Sequence, residues 1–137
     1  MTKLFYVLAQ DGQGQTYFKR KDVYKPGELF EGGGFRNLLG DEPNGAVKAL
    51  EAETGKLRWE FKTHAFVTSG LLSTAGGLVF GSSADGYFFA LDAASGQPLW
   101  RFQTGGRTMA NPISYQVDGK QQVAIAAGQT LLVFALD

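Results

Sequence analysis

Apolar and polar residues alternate in short runs separated by glycine-rich turns, a period-two pattern that predicts strands along most of the chain. Residues 4–9 (LFYVLA) predict a buried strand, followed by a turn at Asp11-Gly12-Gln13-Gly14. Between residues 15 and 44 the alternation fails. Tyr24-Lys25-Pro26-Gly27 and Gly32-Gly33-Gly34 act there as punctuation, which predicts a long loop inserted between two strands of one unit or crossing a rim to a neighbour. Regular alternation then predicts strands over residues 46–51, 56–62, 69–73, 78–82, 87–92, 97–103, 111–117, 122–127 and 130–136. Turn signals separate them, among them Ala84-Asp85-Gly86 and Asp118-Gly119-Lys120. No segment requires a helix.

A longer period overlies this one. ALEAETGKLRWEFKT starts at Ala49 and ALDAASGQPLWRFQT at Ala90, so the copies lie 90 − 49 = 41 residues apart, with 7 of 15 positions identical. Phe89-Ala90-Leu91-Asp92 recurs once more as Phe134-Ala135-Leu136-Asp137. Short strands repeating about every 40 residues are the signature of a β-propeller built blade by blade. Such folds close with about four to eight blades, so the expected architecture is all-β, a partial propeller of two to three four-stranded blades. The units fall at 1–44 (strand plus inserted loop), 45–92 (blade) and 93–137 (last blade). Remaining blades, or other copies of the chain, are the partners this implies.

Each residue of the phrase has a physical task. Glu51 or Asp92 opens a turn and accepts backbone N–H groups, and Thr54 or Ser95 assists through its hydroxyl. Gly55 and Gly96 supply positive φ. Trp59 and Trp100 on the returning strand are expected to wedge between blades and give their indole N–H to a carbonyl.

Composition narrows the function classes. Thirteen basic and thirteen acidic residues give zero formal charge, which provides no footprint for nucleic acid, and Lys19-Arg20-Lys21 followed by Asp22 reads as a solvated loop. Cysteine is absent, removing disulfides and thiolate metal sites. No apolar run reaches the roughly 18 residues of a membrane span, and residues 4–9 are too short for a secretory signal. His64 is the lone histidine and reads as solvated or capping, while Asp11, Asp85 and Asp118 read as turn carboxylates. The glycine clusters lack the strand-to-helix context of a phosphate loop.

The tryptophan phrase resembles the repeat of the pyrroloquinoline quinone (PQQ) family. Residues 4–7, 24–27, 32–36, 72–81 and 117–128 resemble the carboxy-terminal part of quinoprotein alcohol dehydrogenases, so the likeness covers essentially the whole chain. It implies an eight-bladed periplasmic enzyme that holds PQQ and calcium near its axis and oxidises small alcohols. The family motifs for the catalytic aspartate and the calcium ligands are not matched here, so no catalytic or metal-ligating residue is assigned and the chain is expected to be inactive alone. One cofactor-facing segment carries over: Thr68-Ser69-Gly70 stands where relatives carry Trp-x-Gly beside PQQ, with Thr68 replacing the tryptophan. The equivalent link, residues 105–111, is axis-facing with no role assigned. A non-enzymatic propeller scaffold of the same repeat superfamily is the alternative.

Overall fold

The computed structural model describes residues 3–11, 14–21, 23–37 and 44–135. The expected turn at Gly12-Gln13, the Asp22 boundary and the recurrence at Leu136-Asp137 lie outside these residues. Twelve strands are present among the described residues: β1 (Leu4–Asp11), β2 (Gln15–Lys19), β3 (Gly33–Asn37), β4 (Asn44–Glu51), β5 (Leu57–Thr63), β6 (Leu72–Ser73), β7 (Leu78–Ser82), β8 (Tyr87–Asp92), β9 (Pro98–Gln103), β10 (Ile113–Val117), β11 (Lys120–Ala127) and β12 (Thr130–Ala135). They form antiparallel sheets in the orders β1-β4-β5, β6-β7-β8-β9 and β10-β11-β12, plus a β2-β3 hairpin. The fold is all-β, an open run of propeller blades.

Hydrogen bonding groups the strands differently from the blocks 45–92 and 93–137. Each tryptophan strand pairs with the strand before its turn, β5 with β4 and β9 with β8, so the sheets change at residues 64–71 and 104–112. A sequence repeat can be cut at any phase, whereas a blade ends where ladder pairing ends. The two copies match down to an irregularity: the register shifts between Ala49 and Leu50 in one and between Ala90 and Leu91 in the other.

The middle sheet is covered on both faces, which explains why β7 and β8 read as continuous apolar runs. Val79, Phe89 and Leu91 meet Val47, Ala49 and Trp59 of the first sheet. Phe80, Phe88 and Ala90, one residue out of phase, meet Val123 and Ile125 of the third. Phe88 is fully buried, and such a side chain contributes about 1.5–3 kcal/mol.

Two expectations need correction. β1 is not a buried strand: Phe5 is 61% exposed, because Phe5 and Val7 lie on the face turned away from the core while Leu4 and Tyr6 pack inward. The segment 15–44 is inserted between paired strands β1 and β4, as expected, but it carries the β2-β3 hairpin. Gly33 permits that pairing, since a Cβ there would lie 2.2 Å from the Phe18 carbonyl oxygen. Arg36 and Arg20 stand over the Phe18 ring.

Candidate functional site

The seam between the first two sheets is built from the repeated phrase. Gly55 and Gly96 adopt φ of +69° and +73°, and each turn is closed by a 2.8 Å bond from the glycine N–H to the acidic residue's carbonyl. Asp92 Oδ1 accepts from Ala94 N at 3.1 Å, Ser95 N at 2.8 Å and Ser95 Oγ at 2.7 Å. The Ser95 hydroxyl, and then its N–H, hold the Asp92 carboxyl below its ordinary value. A carboxylate lowered in this way stabilises the fold above its unfolded pKa, and that contribution disappears as pH falls through the folded value. Acidification below about pH 4 is therefore expected to loosen the turn after β8. The Ala94 and Ser95 amide shifts should move with the Asp92 carboxyl in an NMR pH titration; amides that stay fixed while it titrates would count against this.

Trp59 crosses the seam. Its indole N–H donates to the Ala93 carbonyl at 3.1 Å, the Tyr6 hydroxyl donates to the same oxygen at 3.0 Å, and the two rings lie 5.7 Å apart. Gly96 lies beneath the indole. Trp100, its counterpart, is 39% exposed and packs against Phe134 at 5.0 Å, with no indole hydrogen bond among the described residues.

The links that lead from one sheet to the next repeat as closely as the turns. Thr63 Oγ1 donates to Ala65 O at 2.6 Å and Thr104 Oγ1 to Gly106 O at 2.8 Å. Ala84 N donates to Phe66 O, and Gly128 N to Arg107 O. The expected site residues sit in the first of these links. The Thr68 hydroxyl donates to the Thr108 carbonyl of the second link. Ser69 is buried; its Oγ accepts from Ser82 N at 2.9 Å and donates to Gly70 O at 2.9 Å, so its hydroxyl is used inside the fold. The Gly70 N–H donates to Asn111 Oδ1 at 2.6 Å. Thr68 and Gly70 are half-buried, and Asn111 beside them is exposed. These residues supply no cation.

Neighbouring candidates are structural. His64 is exposed, and Asp85 accepts the Ser83 hydroxyl inside its own turn. A cleft of about 350 Å³ is lined by Lys3, Leu4, Glu51, Arg58 and Ala94, beside the phrase turns and not beside Thr68. Asn111 is the residue that sequence reasoning left without a role. The available signal was its offset of 111 − 70 = 41 residues from Gly70, the period of the repeat.

Antiparallel sheets that repeat along the chain and pack face to face, with a tryptophan in the first seam, have the architecture of β-propeller blades. A family model described as outer membrane protein assembly factor BamB matches residues 27–137, and the chain belongs to this PQQ-repeat family. Within it, the chain is similar to the quinoprotein ethanol dehydrogenase of Pseudomonas aeruginosa, 40% identical over 128 residues, covering 93% of this chain and 20% of that protein. Among solved structures, it resembles the quinohemoprotein alcohol dehydrogenase of Comamonas testosteroni, with a TM-score of 0.73 and 29% identity over 95% of this chain and 21% of that one. A europium-containing methanol dehydrogenase gives a TM-score of 0.72 and 34% identity, over 89% of this chain and 22% of its own. The chain thus spans about a fifth of the length of these relatives.

Proposed function

We propose that the chain is a carboxy-terminal segment of a PQQ- and calcium-dependent quinoprotein alcohol dehydrogenase of the periplasm. In this role it supplies propeller blades and one wall of the cofactor pocket, and it is inactive by itself. The observation that carries the reading is the 40% identity to an ethanol dehydrogenase over 93% of the chain. The seam of Trp59 on Gly96 fits the blade-docking role of the family's tryptophan phrase. In a complete enzyme PQQ supplies the electron acceptor and calcium a Lewis acid. This chain's part is to present the Thr68 methyl and the Gly70 backbone as a smooth wall, with the remaining blades as its partner. Thr68 in place of tryptophan leaves room above the wall that a larger alcohol or a shifted ring could fill.

Grafting tests this directly. The chain replaces the matching segment of the P. aeruginosa ethanol dehydrogenase, and the chimera is expected to bind PQQ and oxidise ethanol with a dye acceptor. The isolated chain with PQQ and calcium is expected to show no turnover; turnover there would overturn its inactivity. A folded chimera that fails to bind PQQ would instead favour a non-enzymatic scaffold, a reading supported by the BamB description of the family model.

A further inference from the structure

Gly70 and Asn111 occupy the same place in consecutive copies, 41 residues apart, and they touch. The contact explains the glycine. Gly70 does not have positive φ, but a Cβ there would lie 2.6 Å from Asn111 Oδ1. The same contact orients the asparagine amide. Because Gly70 N–H is a donor, it must face the Oδ1 acceptor, which leaves the two N–H groups of Nδ2 unused by that contact. Asn111 is exposed, and its Nδ2 has no hydrogen-bond acceptor among the described residues.

We propose that Asn111 is a two-sided binding residue: Oδ1 fixes the Gly70 backbone, and Nδ2 donates to an oxygen acceptor of a flat quinone lying against Thr68 and Gly70. The inference rests on reading this segment as a cofactor wall. The chemistry suits the ligand class, since quinone carbonyl and carboxylate oxygens are acceptors and both side-chain hydroxyls of the tripeptide beside Asn111 are already used inside the fold. Thr68 Oγ1 donates to Thr108 O and Ser69 Oγ to Gly70 O, so Asn111 Nδ2 is the exposed side-chain donor beside them.

The test uses the full chain labelled with 15N, as wild type, Asn111→Ala and Asn111→Asp, titrated with PQQ itself. Aspartate keeps an acceptor for Gly70 but has no N–H to donate. Gly70 amide exchange should therefore remain slow in N111D and become fast in N111A. In wild type, PQQ is expected to shift the Asn111 side-chain NH2 signals, and both variants should bind it about tenfold more weakly, the scale of one hydrogen bond. Spectral dispersion in each sample shows that it is folded. Equal PQQ affinity in wild type and both variants would overturn the donor role while leaving the wall intact. Unchanged Gly70 exchange in N111A would overturn the positioning role. No PQQ-dependent shift at Thr68, Gly70 or Asn111 in wild type would sink the cofactor wall and this proposal with it.

Discussion

Replacing Trp59 with alanine is expected to destabilise the chain by about 3–5 kcal/mol, the range for removing a large aromatic from a packed interior. The residue is 9% exposed, contacts both sheets of the first seam and donates its N–H to Ala93. Trp59→Phe, which keeps most of the apolar area and loses the donor, should cost about 1–3 kcal/mol, since Tyr6 still donates to the Ala93 oxygen. At Trp100 the alanine change should cost only about 1–2 kcal/mol, because a partly exposed ring gives up less area. Urea unfolding followed by far-UV circular dichroism measures all three. Equal losses at Trp59 and Trp100 would show that the seam hydrogen bond and burial do not govern stability here.

The second large effect is expected at Gly96. An alanine Cβ would lie 2.5 Å from the Trp59 ring, and the backbone there holds φ of +73°. Left-handed backbone costs a non-glycine residue about 1–2 kcal/mol, and forcing an extra carbon into a packed interior adds about 1–3 kcal/mol. Gly55 has nearly the same φ, but nothing lies within 4 Å of the Cβ position. Gly55→Ala should therefore show the backbone cost alone, and the difference between the two midpoints isolates the packing contribution. If Gly96→Ala and Gly55→Ala unfold at the same urea concentration, the indole does not rest on Gly96 in solution.

These two experiments exploit what the repeat conceals. The sequence makes Trp59 and Trp100 equivalent, and Gly55 and Gly96 equivalent, because both copies place them at the same positions around the same kind of turn. It is also legible that the glycines take positive φ, that Asp92 caps its turn and that the tryptophan N–H seeks a carbonyl. Those features depend on neighbours a few residues away. Strands such as β7 and β8 were readable to the residue because alternation and glycine turns bound them on both sides. The β2-β3 hairpin was not, since it depends on Tyr17 and Phe18 packing over Gly33 and Gly34, a contact without local periodicity.

The site was less legible than the fold for the same reason. The resemblance marked Thr68-Ser69-Gly70, but it could not show that Ser69 turns inward to Ser82 or that Gly70 is held by the following copy. A side-chain amide bonding to a backbone N–H 41 residues away leaves no trace in hydropathy. Only alignment of the chain on itself brings positions 70 and 111 together. The exposure of Phe5 is a further case, because strand sequence does not reveal which face lacks a neighbour.

In the seam, the tryptophan belongs to one copy and its glycine and carbonyl to the next. Stability is thus held at junctions and not within units, as in a one-dimensional chain of nearest-neighbour couplings. Among the described residues the middle sheet packs on both neighbours and each outer sheet on one. Opening should accordingly begin at the two ends and advance inward, with Phe88 and Leu91 among the last side chains to meet water.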